Sequence, residues 1–406
     1  MNNNMEVEID WSVLPEEVWS AIGKLLDRRL DLLRFRSVCK LWRSIIPPLS
    51  DSASPPPPRW LLTLPVHSGR RADDSTTRTA DAFLSQTTVY RIDRPFEDLD
   101  SSSSAQGWLV KVEETDKGKM RILDPISSRK IREIPDAVSN SCRLLEFRMM
   151  ELIKTYALRY TCGSGSIAGV NKVMLAPNSG AIFVIYENGV LGVVKNGEKE
   201  IVPIDDRIFD YNDLIMYGGQ PYVVDRWGTV SWIDSSFRLI QFAPPLSGFD
   251  GRKHMVVSCG DLYVVVRYLE KEEENALCDR TSGLQFRIQY YPRGRGRRRD
   301  FNQPKSVDFK VFKLDQDRGT WVEVKNLGDQ VFVLSCDFSL SVLAGDFAGF
   351  KPNCIYFTKQ FGLDYALRGI GDNGVCIFNL EDNSFENLEN SSGYSQMFWP
   401  GICPNS

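Results

Sequence analysis

The chain has 406 residues, enough for two or three domains, and its 42% hydrophobic and 25% charged content is typical of a soluble globular protein. Its formal net charge of −4 argues against a chain built as a whole to hold nucleic acid or an anionic membrane. Nine scattered cysteines without a CxxC pair predict free thiols rather than a disulfide framework or a zinc site, and two histidines leave little scope for imidazole catalysis.

Residues 1–10 are predicted to form a disordered tail. They carry acids and no apolar run, so we expect no signal peptide there. The most apolar stretches elsewhere, such as Leu262 to Val266, are far shorter than the roughly 20 residues that a membrane helix needs.

Residues 11–48 are predicted to form a module of three short helices. Pro15 suits the first turn of a helix, because its missing N–H would have no partner there anyway, and the acids that follow complement the helix dipole. Apolar residues then recur at helical spacing in three sets: Val18, Ile22, Leu25 and Leu26; Leu30, Leu32, Leu33 and Phe35; Val38, Leu41, Trp42, Ile45 and Ile46. A segment this short cannot bury them all, so it packs either on a partner protein or on the rest of this chain.

This stretch resembles the F-box motif, which opens with Leu-Pro and acids and ends in Val-Cys-x-x-Trp-Arg. The matching pieces are Leu14–Glu17, Leu32–Arg36 and Ser37–Arg43, and the sequence departs from the pattern at Asp31, where many members carry proline. The resemblance implies binding to the Skp adaptor of a cullin–RING ubiquitin ligase. The adaptor contacts carried over by position are Leu14, Pro15, Ile22, Leu30, Leu33, Val38, Cys39 and Trp42, some of which must instead pack the module's own core. Cys39 is expected to serve as an apolar filler without reactive chemistry.

Residues 49–59 are predicted to be a linker, because Ser and Pro cluster in the sequence SDSASPPPP. Such a segment is a stiff spacer between domains, or simply a domain boundary.

Residues 60–400 change to short β runs with a weak repeat. Gly180, Gly219 and Gly260 each begin a Gly-x-x-aromatic-Val segment, 39 and then 41 residues apart, and Asn353 begins a looser copy. Gly or Asn suits a turn with positive φ, and each run leads through a further turn into another apolar run, which is a hairpin signal. A period near 40 favours a β-propeller of six or seven blades; a β-sandwich or a stack of hairpins is the alternative.

The β region also resembles a plant F-box family whose C-terminal half is propeller-like, or kelch-like, and of unknown function. The matching pieces are Asp225–Gly228, Val311–Asp315, Trp321–Val324, Leu327–Phe332 and Tyr394–Pro400. After Pro400 the chain departs from the pattern, which calls for another proline and a final Trp. The resemblance implies a substrate receptor that binds Skp and, through it, cullin and RING subunits, while the β domain binds a target protein.

Three further signals have weaker interpretations. The glycine-rich run Gly163–Gly169 resembles a phosphate loop, but Val170 to Leu175 is predicted as a strand where a nucleotide site requires a helix. The charged insertion 270–305 contains a basic run. We interpret this segment as a solvated loop, with nuclear import or nucleic-acid binding as alternative roles of the basic run. Its arginines are Arg293, Arg295, Arg297, Arg298 and Arg299. Asp205, Asp206, Asp225 and Asp234 are candidates for a glycosidase-type acid pair, or for turn formation.

No catalytic motif is found, so the sequence predicts a non-catalytic protein without cofactor or metal, located in the nucleus, the cytoplasm or both. Two alternatives stay open. One is a ligase-independent scaffold with a vestigial F-box, and the other, more remote, is a propeller enzyme.

Overall fold

The computed structural model describes residues 14–25, 35–45, 61–66, 78–93, 106–114, 120–128, 130–134, 148–160, 170–205, 210–246, 251–269, 306–359 and 374–388. The predicted tail 1–10, linker 49–59 and insertion 270–305 lie outside these ranges, as do the glycine-rich run and the altered C-terminal end. In the part of the chain that the structure describes, no helix is long and apolar enough to cross a membrane.

The N-terminal module is helical, as predicted. Helix α1 runs over Glu16–Leu25, residues 35–38 form a further helical turn, and helix α2 runs over Lys40–Ile45. The backbone carbonyl of Pro15 accepts the N–H groups of Val18 and Trp19 at 3.0 and 3.3 Å, so the proline begins α1.

The remaining described residues form five sheets. The first contains β1 (Leu61–Val66), β2 (Arg78–Asp93), β3 (Trp108–Glu114), β4 (Met120–Leu123), β5 (Lys130–Ile134) and β6 (Arg148–Tyr160). The second contains β7 (Val170–Ala176), β8 (Ala181–Tyr186), β9 (Leu191–Val194) and β10 (Val202–Pro203). The third contains β11 (Tyr211–Tyr217), β12 (Gln220–Asp225), β13 (Val230–Ile233) and β14 (Leu239–Ala243). The fourth contains β15 (Arg252–Ser258), β16 (Asp261–Leu269), β17 (Ser306–Asp315) and β18 (Thr320–Val324). The fifth contains β19 (Gln330–Leu334), β20 (Ser339–Leu343), β21 (Cys354–Thr358), β22 (Val375–Asn379) and β23 (Ser384–Asn387).

The second, third and fourth sheets are antiparallel meanders in which each strand pairs with its neighbour in the chain. The first and fifth sheets differ from this plan. In the first, the 16-residue β2 pairs with β1 and β3 along its length and also with β6. In the fifth, β19 pairs antiparallel with β20 and parallel with β21.

The sheets close into a ring, because each packs against two neighbours. Alternate residues of a strand point to opposite faces, and in β8 Val184 joins a cluster with the first sheet while Phe183 joins a cluster with the third. The same alternation divides Val264 and Val265 of β16 between the third and fifth sheets. A fifth cluster contains Leu109 from the first sheet together with residues of the fifth, and so completes the circle.

The architecture is therefore a five-bladed β-propeller, and the predicted six or seven blades are wrong. That number assumed that blades of at most about 50 residues fill the whole of residues 60–400. The first blade extends from Leu61 to Tyr160, more than twice the period, and residues 270–305 are inserted between β16 and β17. The ring of clusters also rules out the β-sandwich alternative.

The repeat itself was predicted correctly. Gly180, Gly219 and Gly260 have φ values of 65°, 78° and 85°, and Asn353 has 55°, so all four occupy the left-handed region. Each of them leads into the strand predicted for it.

Candidate adaptor face and central channel

The helical module has an aromatic core. The Trp42 ring lies 3.9 Å from that of Trp19 and 4.4 Å from that of Phe35, measured between centroids, and Trp19 is 2% exposed. Trp42, one of the predicted adaptor contacts, is half-buried, and its ring packs against these two aromatic rings of the module. The sequence pattern did not distinguish the core residue Trp19 from the other apolar residues of α1.

Among the described residues of the module, three large apolar side chains are exposed to solvent: Val18 at 40%, Val38 at 60% and Leu41 at 43%. Val38 belongs to the predicted adaptor set, whereas Val18 and Leu41 do not. Of the other predicted contacts, Pro15 and Cys39 are exposed and Leu14 and Ile22 are half-buried, while Leu30 and Leu33 lie outside the described residues.

Cys39 has a local role that the sequence did not reveal. It precedes α2, where its sulfur accepts the backbone N–H of Trp42 at 3.4 Å and its carbonyl accepts that of Arg43 at 3.1 Å. The exposed thiol therefore caps a helix and does not fill the module's core. Arg36 and Arg43 each donate a hydrogen bond to the other's carbonyl at 3.1 Å, which fixes α2 against the preceding turn.

Buried charges link neighbouring blades of the propeller. Lys172 on the second blade donates to the Asp213 carboxylate on the third at 2.5 Å, and the backbone N–H of Met255 on the fourth donates to the same carboxylate at 2.8 Å. Lys111 on the first blade donates to Asp337 on the fifth at 2.6 and 2.8 Å. Each carboxylate thus connects strands from different blades.

The propeller also has a polar cleft of about 280 Å³. Its described lining consists of Asn171, Glu187, Asp210, Tyr211, Asn212, Arg226, Gly251 and Arg252. Arg252 of the cleft lining pairs with Arg267 near the end of β16, so Leu269 and Ser306, which pair with each other, lie on the side of the ring that bears the cleft.

The described candidate acids form turns and give no sign of a catalytic pair. Asp225 accepts the N–H groups of Trp227 and Thr229, both at 2.9 Å, and Asp234 accepts those of Ser236 and Arg238, both at 2.8 Å. Burial raises the pKa of Asp225, and these backbone donors only partly offset it. The backbone N–H of Arg238 is the largest influence that lowers the pKa of Asp234.

Asp205 is half-buried, and Asp206 lies outside the described residues. In the ranges that the structure describes, no group of three or more His, Cys, Asp or Glu side chains could hold a metal ion. Val170 begins strand β7, as predicted, where a phosphate loop would require a helix.

Two protein-family models match this chain. "KIB1-4 beta-propeller" matches residues 82–379, and "F-box-like" matches residues 11–49. Similar Arabidopsis thaliana proteins include F-box protein SKIP23, 28% identical over 97% of this chain and 94% of its own length. F-box protein At4g35733 is 29% identical, over 97% and 98% respectively. Among solved structures, the Cps50 (Swd1) β-propeller domain of Myceliophteria thermophila is 9% identical over 70% of this chain and 94% of its own; its TM-score of 0.25 supports no inference.

Proposed function

The chain belongs to the KIB1-4 β-propeller family and carries an F-box-like domain, and from this premise we propose that it is the substrate-recognition subunit of a Skp–cullin–F-box ubiquitin ligase. The F-box binds the Skp adaptor, the propeller binds a target protein, and cullin and RING subunits join through the adaptor. The subunit performs no bond chemistry itself. It raises the effective concentration of target lysines near the ubiquitin-conjugating partner.

The observation that carries the proposal is the exposed apolar surface of the helical module. Val38 and Leu41 stay open to solvent although Trp19, Phe35 and Trp42 are packed together beside them in the same module. Exposed apolar groups on a small, internally packed module are typical of a protein interface. Here the family assignment supports the Skp adaptor as the partner.

The target-binding face of the propeller is proposed to be the one that bears the cleft. The cleft combines both charge signs with amides, so it is suited to polar and charged groups of a protein. Leu269 and Ser306, which flank the predicted insertion 270–305, lie at the same face, and loops on one face of a rigid scaffold are where recognition usually resides.

A binding assay between the purified full chain and the Skp adaptor tests the adaptor face. Leu41→Asp places a charge at an interface centre, and we expect at least tenfold weaker binding. Leu343→Asp on the propeller is the matched control, since Leu343 is 45% exposed against 43% for Leu41. The proposal fails if the wild-type chain does not bind the adaptor, or if both substitutions weaken binding equally.

A reconstituted ubiquitination reaction separates this proposal from a ligase-independent scaffold. If the chain is a substrate receptor, a target protein that binds the propeller is ubiquitinated in this reaction, and Leu41→Asp abolishes its ubiquitination. If the chain is a scaffold, it binds the target protein and the adaptor, but the target is not ubiquitinated.

We also propose that the basic run directs the protein to the nucleus. Clustered arginines in an insertion suit an import receptor, and the residues concerned are Arg293, Arg295, Arg297, Arg298 and Arg299. The adaptor-binding activity does not depend on this proposal.

A further inference from the structure

Two turns of the second blade contain an Asn-Gly pair, and the structure constrains the two pairs very differently. Asn188–Gly189 joins β8 to β9, and Asn196–Gly197 joins β9 to β10. A third pair of the sequence begins at Asn373, which lies outside the described residues. The nitrogen of a glycine has no side chain beside it, so it can attack the side-chain amide of a preceding asparagine, which makes asparagine chemically labile. The attack requires that the turn can move.

The Asn188–Gly189 turn is held by hydrogen bonds on both residues. The Gly189 N–H donates to the Tyr186 carbonyl at 2.9 Å, and the Asn188 side-chain oxygen accepts the Val190 N–H at 3.2 Å. Gly189 is buried, and its carbonyl accepts the N–H of Tyr211 on the third blade at 2.9 Å. The attacking nitrogen and the amide that it would attack are therefore both occupied, and they cannot approach each other until these bonds break.

The Asn196–Gly197 turn lacks these constraints. Both residues are exposed, and none of the described residues forms a hydrogen bond to the Asn196 side chain or to the Gly197 N–H. Gly197 has φ 85°, and a Cβ added to it would meet no atom within 4 Å. The hydrogen bond that closes the turn runs from the Glu198 N–H to the Lys195 carbonyl at 2.9 Å. An exposed turn of this kind opens readily, so the glycine nitrogen can reach the side-chain amide.

We propose that Asn196 is a site of spontaneous modification, at which the side-chain amide is lost and a carboxylate forms. The deprotonated Gly197 nitrogen attacks the side-chain carbonyl carbon of Asn196, which closes a succinimide ring. Ammonia leaves and takes up, through solvent, the proton that the Gly197 nitrogen lost. Water then opens the ring. Attack of water on the side-chain carbonyl gives aspartate, and attack on the main-chain carbonyl gives isoaspartate, whose main chain continues through the former side chain.

The modification changes the edge of the second blade. It adds a negative charge beside Glu198 and Glu200, and isoaspartate also lengthens the main chain of the turn by a methylene group. The strand that follows the turn, β10, has only two residues and pairs with β9 at the edge of its sheet. A longer and more acidic turn is therefore expected to loosen this edge strand. The proposal does not depend on the ligase function.

Peptide mapping of the full chain by mass spectrometry, before and after incubation in mildly alkaline buffer, tests the proposal. Each event replaces NH2 by OH, a mass gain that the measurement resolves, and the aspartate and isoaspartate peptides separate by chromatography. We expect both products at Asn196. Conversion at Asn188, the control within the same chain, should be at least about tenfold slower, because the hydrogen bonds of its turn must open first. No conversion at Asn196, or equal rates at the two asparagines, overturns the proposal.

The same measurement on the chain denatured in guanidinium chloride shows whether the fold causes the difference. Unfolding removes the hydrogen bonds around Asn188, so the two asparagines should then convert at rates within about threefold of each other. A difference that persists in the denatured chain would overturn the inference, since neighbouring residues in the sequence would then explain it. In the folded chain, Gly197→Ala should slow conversion at Asn196 because a Cβ shields the nitrogen. Gly219→Ala, at a turn of the third blade, should leave it unchanged.

Discussion

The ion pair between Lys111 and Asp337 closes the propeller, and its removal should cost far more than a surface pair. Lys111 lies on β3 of the first blade and Asp337 between β19 and β20 of the fifth, 226 positions apart in sequence. Their side chains are 0% and 7% exposed. Ser335 donates a further hydrogen bond to Asp337 at 2.9 Å, and Lys111 donates to Ser128 at 2.6 Å.

Asp337→Asn leaves the Lys111 ammonium buried without its counter-charge. Breaking a buried pair in this way costs about 3–5 kcal/mol in the free energy of unfolding. The double substitution Lys111→Met with Asp337→Leu removes both charges, so it should recover most of that loss. The matched control is Lys313→Gln, which breaks the Lys313–Asp261 pair. That pair has the same 2.6 Å separation but side chains 39% and 36% exposed, so its loss should be at most about 1 kcal/mol.

Urea denaturation of each variant measures these differences, and the pH dependence gives an independent check. Burial raises the pKa of Asp337, but the charge and hydrogen bonds of Lys111 outweigh it, so this pKa lies below the usual value. The stabilisation is therefore complete above the unfolded-state pKa of about 3.9 and is lost as the pH falls through the lower folded-state value. The gap between wild type and Asp337→Asn should stay constant from neutral pH down to about 5 and shrink below about 4. A loss in Asp337→Asn no larger than in Lys313→Gln would refute the reasoning.

Three other predictions concern local features. Gly189→Ala should destabilise the propeller by more than 1 kcal/mol in urea denaturation, because Gly189 has φ 76° and an added Cβ would lie 2.6 Å from the Asp210 Cα. Gly219→Ala is its control and should cost only about 1 kcal/mol, since φ is 78° but nothing lies within 4 Å. Trp42→Ala should lower the helical circular dichroism and the adaptor affinity together, whereas Leu41→Asp should lower the affinity alone. Replacing all five arginines of the basic run by glutamine should reduce the nuclear accumulation of a fluorescent fusion without changing adaptor binding. Unchanged nuclear accumulation would contradict the import proposal. The residues replaced are Arg293, Arg295, Arg297, Arg298 and Arg299.

The local structure of the propeller could be predicted from the sequence because its signals lie within a few residues of each other. A glycine before an apolar run marks a turn, and the turns at Gly180, Gly219 and Gly260 are where this rule places them. The strand predicted over Val170 to Leu175 is observed as Val170–Ala176, one residue longer. Neighbouring blades cover both faces of a strand in the middle of a sheet, such as β8, so its sequence is a continuous apolar run that differs clearly from the loops.

The number of blades and the buried charges depend on contacts distant in sequence. The extra length of the first blade lies in β2 and β6, whose pairing no period of 40 residues indicates. Lys172 and Asp213 resemble ordinary surface residues until the ring places them 2.5 Å apart. A lysine in a strand carries no mark of burial, because its partner belongs to another blade.

The F-box illustrates the same limit at smaller scale and determines how the adaptor face should be probed. The motif shows which residues match the F-box pattern, but it does not show which side of a helix each residue occupies. Trp42 and Val38 were therefore predicted to have the same role. In the structure Trp42 stacks against Phe35 while Val38 is 60% exposed. A substitution at Trp42 therefore removes the support for the interface, whereas one at Val38 or Leu41 alters the surface itself. Loss of binding at Trp42 alone would indicate only that the module must be folded, and loss at Leu41 with the helices intact is the result that assigns this surface to the adaptor.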